Sequence, residues 1–598
     1  MKILGISCYY HDSAAALIDN GKIIAAAEEE RFSRIKHDSD FPKLAIGFCL
    51  EQAGINSEDL DYVVFYEKPY VKFERILLQT LSTFPSSRKL FVEAMREWLP
   101  KKLWIKSSIA NHLEISADKI YFCDHHVSHA ASAFYPSPFK KAAILTLDGV
   151  GEWTVASWGV GTGNTINIYK ELRFPHSLGL LYSVFTAYLG FEVNEGEYKV
   201  MGMAPYGNPR FTDRIKKILE INDDGSIKLD LDYFTFHSSP QKSFSKKFVG
   251  LFGKPRDKND LFFTKKTGYP RFWGDKPRDF ETKLKENQKY ADLAASIQKV
   301  TEEVVVRMVN YIHQKTGLVN LCMAGGVALN SVANGKIVRE TPFKNLWIQP
   351  AASDAGGALG AALYLYHNVL NNKKRYQMTH AYLGKGYQQI QIKNFLNSNS
   401  IPFTQYNIEQ LIKLIAKALT QKKVVGWFEG RFEWGPRALG HRSILADPRS
   451  ASMKDIVNSK IKFREPYRPF APAVLEEEAK KYFDIDDPTS GPARFMIIVI
   501  PAKKPKTIPA VSHMGTSRIQ SVNKRLSPQY YALIKEFGKL TGVPVIMNTS
   551  FNLKGEPIVT SPSDAFKTFM KSGIDLLVLE NFVVEKKLVM DFNLNNLK

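Results

Sequence analysis

The sequence predicts a chain of 598 residues folded into two α/β domains, and three features support this prediction. Strand–turn–strand units occur at 2–30 and again at 141–163. A later stretch runs in the order helix, strand, glycine turn and helix. The polar and basic segment 371–382 is then followed by a second region of apolar strands and helices. We therefore expect domains at 1–370 and 383–598, joined by a linker.

Local patterns place the elements in order along the chain. Asn20-Gly21 separates two apolar runs and predicts a hairpin, while the second unit carries Asp148 and several glycines in its turn. The similarity of the two units suggests an internal duplication. The runs "VVGWFEG" and "FMIIVIPA" predict strands of the second domain. Helical spacing of apolar residues predicts helices over 80–115, 287–314 and 408–421.

Composition limits the class of protein. Hydrophobic residues make up 44% and charged residues 24%, as in soluble globular proteins. No apolar run has the length of a signal peptide or a membrane span, so we expect a cytoplasmic protein without membrane contacts. The four cysteines form no CxxC pair, which disfavours disulfides and thiolate metal sites. The formal net charge of +21 favours anionic partners, such as phosphorylated substrates or nucleic acid.

The segment 241–285 differs from its surroundings because lysines and arginines alternate there with aromatic residues. This pattern is compatible with nucleic-acid binding. It is equally typical of an inserted surface subdomain with its own aromatic cluster. We favour the second interpretation, since no stacking motif or repeat supports the first.

The stretch "HHVSHAASAF" at 125–134 is rich in alanine, a strong helix former, but it begins with histidines. His125 and His129 are four residues apart, so a helix presents both imidazoles on one face, as metal-binding pairs are presented. Two imidazoles need further ligands, and Asp148 and Asp354 are candidates because each lies beside glycines at the end of an apolar strand. Imidazole with carboxylate suits Fe, Mn or Zn. The alternative is a histidine pair that only packs or caps the helix.

Three glycine-rich turns, "LDGVGEW", "MAGGVALN" and "SDAGGALG", are typical of loops that bind phosphate or nucleotide. Residues without Cβ let the backbone approach a phosphate closely, and successive N–H groups can then bind the anion. None of the turns has the spacing of a P-loop or a dinucleotide fingerprint. The candidate nucleotide-binding residues in these turns are Gly149, Gly325, Gly326 and Asn330.

Several longer motifs together resemble a known family. They are "GISCYYHDSAAAL", "EEERFSRIKHD", "HHVSHAASAFYPSPF", "NEGEYKVMGMAPYG", "MAGGVALN", "PAASDAGGALGAA", "FEGRFEWGPRALGHRSILADPR", "FREPYRPFAP" and "MNTSFNLKGEPIV". In order and spacing they resemble the nodulation/antibiotic O-carbamoyltransferase family over essentially the whole chain. The resemblance implies an N-terminal actin/Hsp70-like domain, similar to the tRNA threonylcarbamoyl-transfer subunit, and a C-terminal YrdC-like α/β domain.

The resemblance also implies a reaction in two steps. Carbamoyl phosphate and ATP, the latter with Mg2+, would form carbamoyl-adenylate in the C-terminal domain. The N-terminal domain would then transfer the carbamoyl group to a hydroxyl of a small-molecule natural product and release AMP. His125, His129, Asp148 and Asp354 would hold a divalent metal, Fe2+ in the first place, with Mn2+ or Zn2+ as alternatives. His11 matches the general base, and Lys36 matches a position near the transferred group.

The roles of His11 and Lys36 each have a non-catalytic alternative. His11 also fits a turn histidine paired with Asp12, and Lys36 also fits a solvated surface lysine.

The C-terminal domain is dense in cations, as a site that gathers carbamoyl phosphate and a triphosphate requires. The alternative for such cations is a set of surface ion pairs. Asn548 and Ser550 match positions expected to hold the nucleotide. The candidate phosphate-binding cations are Arg431, Arg437, Arg442, Lys462, Arg464, Arg468 and Arg518.

One stretch departs from the family pattern. The chain reads "HMGTSRIQ" at 513–520, where the family has a longer segment with an aspartate before the arginine. Arg518 aligns with the family arginine if the gap precedes Gly515. The departure puts the activity of the adenylation step in doubt.

Two other classes of function were weighed. A tRNA-modifying enzyme that makes threonylcarbamoyladenosine uses similar domains and would explain the net charge of +21. A non-enzymatic, actin-like nucleotide switch is disfavoured by the complete set of metal ligands and by the cation-rich second domain. The order of the domains and the antibiotic-type motifs favour the small-molecule carbamoyltransferase. Nucleic acid is therefore not the expected partner, and the sequence fixes neither the acceptor nor the oligomeric state.

Overall fold

The computed structural model describes residues 1–239, 241–462 and 464–597. It consists of two compact units. The N unit comprises Met1–Ala26, Ser39–Tyr269 and Asp275–Met378. The C unit comprises Ala27–Asp38, Pro270–Gly274 and Thr379–Lys598. The chain therefore passes from one unit to the other between Met378 and Thr379, and the short segment 27–38 belongs to the C unit.

The first sheet of the N unit has five strands in the order β3-β2-β1-β4-β5. Strand β1 is antiparallel to β2 and parallel to β4, which in turn is parallel to β5. Asn20 and Gly21, both with positive φ, form the predicted hairpin turn between β2 and β3. The strands are β1 (Lys2–Ser7), β2 (Ala14–Asp19), β3 (Lys22–Glu28), β4 (Tyr62–Phe65) and β5 (Ile120–Phe122).

The second sheet repeats this plan, with the order β12-β11-β6-β7-β8. Strand β6 is antiparallel to β7 and parallel to β11, which is parallel to β12. The predicted duplication and the actin/Hsp70-like plan of this domain are thereby confirmed. The strands are β6 (Lys141–Leu147), β7 (Thr154–Thr162), β8 (Thr165–Arg173), β11 (Asn320–Ala324) and β12 (Asn345–Trp347), and a separate pair is formed by β9 (Leu219–Ile221) and β10 (Ile227–Leu229).

Helices connect and cover these sheets. The stretch 80–115 is mostly helical, as predicted, but it is divided among three helices, because Pro85 and Pro100 cannot continue a helix and the chain turns near both of them. The long amphipathic helix is present and ends at Gly317, which has a left-handed conformation. Helix α1 (Glu30–Ser33) lies in segment 27–38 of the C unit. The helices of the N unit are α2 (Lys43–Ala53), α3 (Pro69–Ser82), α4 (Arg88–Trp98), α5 (Ile105–Leu113), α6 (His125–Phe134), α7 (Leu178–Tyr188), α8 (Glu197–Met203), α9 (Thr212–Lys216), α10 (Lys246–Phe252), α11 (Phe280–Thr316), α12 (Ser331–Glu340) and α13 (Asp354–Tyr364).

Helix α10 lies inside the basic and aromatic segment 241–285. Its Phe248 and Phe252 are buried and contact Phe185 of α7 edge to face. Phe262 and Phe263 of the same segment are buried as well. Rings enclosed in this way do not stack on bases, which agrees with the interpretation as a subdomain with its own aromatic cluster.

The C unit is built on a mixed sheet of eight strands in the order β13-β22-β21-β14-β15-β20-β16-β19. The run "FMIIVIPA" contributes less strand than predicted, because the chain turns at Met496, which has a φ of 56°. The eight strands are β13 (Thr404–Gln405), β14 (Val425–Phe428), β15 (Arg442–Ala446), β16 (Ala471–Leu475), β19 (Gln520–Val522), β20 (Val545–Ser550), β21 (Leu576–Leu579) and β22 (Phe582–Glu585). A separate antiparallel pair is formed by β17 (Val499–Pro501) and β18 (Thr516–Arg518).

Apolar residues line both faces of this sheet, beneath two groups of helices. Helix α15 begins at Asn407, whose side chain caps it, and supplies Leu411 and Ile415 to one face. The helices are α14 (Gln389–Ser398), α15 (Ile408–Thr420), α16 (Ser452–Val457), α17 (Ala479–Tyr482), α18 (Gly491–Arg494), α19 (Pro528–Thr541) and α20 (Pro562–Met570). The prediction of a second α/β domain is confirmed.

Within the described residues, no helix combines the length and the apolar character needed to cross a membrane. The four cysteines are buried and form no disulfide.

Candidate functional site

Two helices meet at the candidate metal site in the N unit. Helix α6 packs closely on α13, because α13 carries glycines where the two backbones approach. A Cβ at Gly360 would overlap the carbonyl oxygen of Ser128 on α6. The "GGALG" stripe therefore brings the histidine face of α6 next to Asp354, the first residue of α13. Asp148 arrives from the turn after β6.

These four side chains place their ligand atoms within 4.8 Å of one another. Nε2 of His125 lies 3.1 Å from Nε2 of His129 and 3.1 Å from Oδ2 of Asp148. Oδ1 of Asp354 lies 3.6 and 3.5 Å from the same two nitrogens. We call this set, His125, His129, Asp148 and Asp354, the metal cluster. His126 stands apart and hydrogen bonds to Thr146.

The donor set fits a bound cation. Asp354 is fully buried, and neither of its carboxylate oxygens has a hydrogen-bond partner in the described residues. A buried carboxylate in that state is costly unless a metal or a cation completes it. Burial opposes protonation of His125, yet Asp354 and Asp148 outweigh burial and raise its pKa. The cluster thus attracts positive charge, which a divalent metal would supply.

His11 borders the metal cluster. Its Nε2 lies 3.9 Å from Asp354, and its Nδ1 pairs with Asp12 at 3.0 Å. Burial lowers the pKa of His11, but Asp354 and Asp12 more than offset this and raise it to about 9. Asp12 accepts the Nδ1 proton, so Nε2 faces the metal cluster.

Three further carboxyl and ammonium groups support His125 and its surroundings. Glu152 accepts hydrogen bonds from the backbone N–H groups of Lys68 and His125, at 2.8 and 3.0 Å. Glu67 lies 3.6 Å from Nδ1 of His125 and accepts from Nζ of Lys72 at 2.6 Å. Lys72 and the neighbouring histidine keep the pKa of Glu67 at about 2 against the effect of burial. No local pattern indicates these neighbours, because Glu67 follows β4, Glu152 lies in the turn after β6 and Lys72 belongs to α3.

The predicted nucleotide loops occupy the turns around the metal cluster. The backbone N–H of Gly326 donates to Oδ1 of Asp148 at 2.8 Å. Gly325 has a φ of 94° and approaches the backbone of Leu147 so closely that a Cβ would clash. Gly149 follows Asp148, and its carbonyl accepts from the hydroxyl of Ser177. Asn330 caps α12 and exchanges side-chain hydrogen bonds with Gln298.

Five of the predicted phosphate-binding cations come together in the C unit. Burial lowers the pKa of Arg518 well below its usual range, and so do the three guanidinium groups of Arg437, Arg464 and Arg468. Burial and two of these arginines also lower the pKa of Lys462. Like charges held together in this way are stabilised when an anion binds among them. We call this set, Arg437, Lys462, Arg464, Arg468 and Arg518, the cation cluster.

Residues at the end of β20 adjoin the cation cluster. Nζ of Lys462 donates to the carbonyl of Ser550 at 2.5 Å and to the side chain of Asn552 at 2.7 Å. The amide of Asn548 donates to Gln520 at 2.8 Å and to the carbonyl of Ala438 at 3.2 Å. Asn548 therefore steadies the loop that carries Arg437.

Arg431 and Arg442 are placed differently from the cation cluster. The guanidinium of Arg431 donates to the carbonyls of Leu383 and Gly384. Arg442 is fully buried, stacks over Phe428 and donates to the carbonyl of Glu429 at 2.7 Å. In the structure both side chains bind backbone carbonyls.

The shortened stretch at 513–520 folds into a tight hairpin. Met514 and Gly515 both have positive φ, and His513 and Thr516 exchange backbone hydrogen bonds of 2.7 and 3.1 Å. This two-residue turn leads directly into β18, which delivers Arg518 to the cation cluster.

Segment 27–38 forms part of the C unit, and Lys36 lies within it, half-buried. Glu28 accepts from the backbone N–H of Gly435 at 2.8 Å, and Arg31 donates to its carbonyl at 2.7 Å. Arg34 donates to the carbonyls of Ile558 and Pro557 at 2.6 and 2.8 Å. The sequence analysis missed this role of Glu28 and Arg31, because the contacts join residues some four hundred positions apart.

Comparisons with known proteins agree with the resemblance. Models of the carbamoyltransferase N-terminus and C-terminus match residues 2–363 and 416–586. The uncharacterized protein sll1178 of Synechocystis is 45% identical over 98% of this chain and 96% of its own length. The nodulation protein NolNO of Sinorhizobium fredii is 35% identical over 97% of this chain and 79% of its own. Among solved structures, T. kodakarensis HypF aligns at 13% identity and a TM-score of 0.31, over 62% of this chain and 48% of that one.

The chain belongs to the carbamoyltransferase family. Its activity is that of a transferase, and the group transferred is carbamoyl.

Proposed function

We propose that the protein is an ATP-dependent O-carbamoyltransferase that acts on a hydroxyl of a small-molecule natural product. The C unit would convert carbamoyl phosphate, ATP and one water into carbamoyl-adenylate, pyrophosphate and phosphate. The N unit would then transfer the carbamoyl group to the acceptor oxygen, releasing AMP and one proton. The observation that carries the proposal is the cation cluster, whose crowded charges match the phosphates of two anionic substrates.

The residues of the C unit would bind and orient these substrates. Guanidinium groups bind phosphate oxygens in pairs and stabilise the charge that develops at the α-phosphate. The loop carrying Arg437 is fixed by Asn548 and by Gln520, whose amide donates to the carbonyl of Leu439 at 2.6 Å. Because the loop that carries Arg437 is already ordered, substrate binding does not have to order it. The binding free energy can instead align the reacting groups.

The residues of the N unit would handle the proton. Despite burial, the charge of Asp354 raises the pKa of His11, so we expect neutral His11 once a bound metal offsets that charge. With Nδ1 held by Asp12, Nε2 of the neutral ring would then accept the proton of an acceptor hydroxyl. His125, His129, Asp148 and Asp354 would hold a divalent metal, of which Fe2+ is our first candidate. When bound, the metal would offset the charge of Asp354 and supply a Lewis acid beside the transferred group. The family motif implies a role near the transferred group for Lys36 as well, which belongs to segment 27–38 of the C unit.

The decisive experiment measures pyrophosphate and AMP release from ATP by the purified protein, with and without carbamoyl phosphate. We expect release to depend on carbamoyl phosphate and to be lost in Arg468→Ala. Asp354→Asn should still form pyrophosphate but should not carbamoylate a hydroxyl acceptor. Lys503→Ala, in which an exposed cation of the same unit is removed, is the matched control.

Two outcomes would contradict the proposal. Release of AMP that requires threonine and bicarbonate would identify a tRNA-modifying enzyme instead. Pyrophosphate release that ignores carbamoyl phosphate would remove the adenylate from the mechanism.

A further inference from the structure

Helix α3 of the N unit exposes large apolar side chains and buries charged ones, which is the reverse of the usual amphipathic pattern. Its Tyr70 and Leu81 are exposed, with 69% and 63% of their surface accessible. Lys72 and Arg75, three positions apart, are buried, with 5% and 8% accessible. Arginine and lysine are almost never buried to this extent without partners. The inner face of α3 must therefore meet compensating charge.

Lys72 has such a partner, but Arg75 does not. Nζ of Lys72 donates to Glu67 at 2.6 Å. Within the described residues, the guanidinium of Arg75 makes no hydrogen bond or ion pair, and its Nε is enclosed and unpartnered. It only stacks on the ring of Phe174, at 4.9 Å from the ring centre. Burial lowers the pKa of Arg75 to about 10, so the group is still charged at neutral pH.

The two carboxylates that interact electrostatically with Arg75 already have hydrogen-bond donors of their own. Glu67 and Glu152 act on the charge of Arg75 from a distance. Glu67 is hydrogen bonded to Lys72, and Glu152 accepts from the backbone N–H groups of Lys68 and His125. The donors of the guanidinium fork are thus left for another acceptor.

The same neighbours connect Arg75 to the reaction site. Tyr10 lies close enough to both groups for their charges to affect its pKa: Arg75 lowers it, and Asp354 and Asp148 of the metal cluster raise it. Its ring contacts that of His11, with centres 4.8 Å apart. An anion bound to Arg75 would consequently lie on the border of the site where the acceptor hydroxyl is deprotonated.

We propose that Arg75 is the anchor of an oxyanion-binding subsite beside the metal cluster. Stacking on Phe174 holds the guanidinium plane and leaves its edge for two parallel hydrogen bonds to a phosphate or carboxylate group. The oxyanion has two possible sources, the phosphate of the adenylate or an acidic group of the acceptor. The assignment of the subsite to the transfer step rests on the proposed function, whereas anion binding itself does not.

The test is equilibrium dialysis of the full-length, metal-loaded protein against labelled inorganic phosphate and, separately, labelled AMP. Arg75→Met keeps the packing on Phe174 without the charge, and Arg75→Lys keeps the charge without the fork. Arg173→Met is the control, because that side chain is 69% exposed in the same unit. We expect Arg75→Met to bind one phosphate fewer per chain, or to bind it about tenfold or more weakly, while the control matches the wild type.

AMP separates the two sources. A parallel loss of one AMP equivalent in Arg75→Met assigns the subsite to the nucleotide phosphate. Loss of phosphate binding with AMP binding intact assigns it to an acidic acceptor. Equal phosphate and AMP binding in the wild type and both Arg75 variants would overturn the proposal.

A second measurement guards against misfolding. Phosphate should raise the Tm of the wild type more than that of Arg75→Met, which keeps the cation cluster. The phosphate-free Tm of Arg75→Met should be no lower than that of the wild type, because a buried unpaired charge has been removed. A phosphate-induced rise in Tm of the same size in both proteins counts against the subsite. Pyrophosphate release by the wild type is recorded in parallel, and its absence would refute the proposed function while the binding result stands.

Discussion

At the scale of single residues, the buried carboxylate of Asp354 is the feature that most favours a bound cation. Its carboxylate is fully buried and lacks hydrogen-bond partners in the described residues, so it destabilises the metal-free fold. We expect Asp354→Asn to weaken metal binding more than tenfold, since even the residues that orient metal ligands contribute tenfold or more. Metal analysis after dialysis against a chelator checks this loss.

The same substitution should act in the opposite direction on the metal-free protein. Without metal, Asp354→Asn should unfold at the same temperature as the wild type or higher, because we expect the cost of burying a carboxylate without hydrogen bonds to outweigh its attraction to His125 and His129. Asp124→Asn is the matched control, an aspartate with a 52% exposed side chain that precedes α6. Lower stability of metal-free Asp354→Asn would show that the carboxylate is part of the framework and not a ligand.

Glu429 in the C unit predicts a pH dependence of stability. Burial raises its pKa from 4.5 to about 8, although Trp427 donates a hydrogen bond to it at 3.0 Å. Between about pH 5 and 8 the folded state therefore holds a proton that the unfolded state has released. The free energy of unfolding should fall through this window as pH rises, by at most ~1.4 kcal/mol per pH unit from this group.

Glu429→Gln should flatten that slope, because the amide does not titrate. Urea unfolding followed by tryptophan fluorescence at pH 5.5, 7 and 8.5 measures the difference. Glu409→Gln changes a glutamate whose side chain is 80% exposed in the same unit and should leave the slope as it is. An identical slope in Glu429→Gln and the wild type would assign the pH dependence to other groups.

At the scale of elements, the metal cluster depends on how closely α6 approaches α13. A Cβ at Gly360 would overlap the backbone of Ser128, so Gly360→Ala must push the two helices apart. We expect a loss of about 1–3 kcal/mol of stability from overpacking, together with reduced metal occupancy. Chemical denaturation and metal analysis on the same samples test both effects.

Gly47→Ala is the matched control for that substitution. Gly47 also lies in a helix, α2, but a Cβ there meets no atom within 4 Å. Alanine should stabilise this position by up to about 1 kcal/mol through helix propensity. If Gly360→Ala behaved like Gly47→Ala, close packing of α6 and α13 would not be what assembles the metal cluster.

Elements with strong local signals could be predicted from the sequence. The Asn20-Gly21 turn fixes one hairpin, and the spacing of His125 and His129 fixes the helix face that bears the proposed metal ligands. Arg75 could not be recognised, because a cation at helical spacing looks like part of a solvated face. Only the fold shows that the inner face of α3 carries it.

Long-range contacts limit sequence reasoning about the remaining sites. The local pattern around Arg442 predicts phosphate binding but does not indicate the backbone carbonyls of Glu429 and Gly430, to which its guanidinium donates in the structure. Glu28 and Arg31 hydrogen bond to the backbone of Gly435, which lies about four hundred residues away in the sequence. No local pattern indicates these hydrogen bonds. The pairing partner of a charged side chain is decided by the tertiary fold, which a motif does not contain.

At the scale of the whole molecule, the proposed division of labour predicts a complementation result. Asp354→Asn should lack transfer and Arg468→Ala should lack adenylate formation, so each variant alone makes no carbamoylated product. If carbamoyl-adenylate stays within one chain, an equimolar mixture of the two variants should also remain inactive. Product formation by the mixture, assayed at several protein concentrations, is the measurement. A mixture with a rate near half that of the wild type would mean that the adenylate is released and recaptured, since the labile intermediate would then pass freely between an intact C unit on one chain and an intact N unit on another.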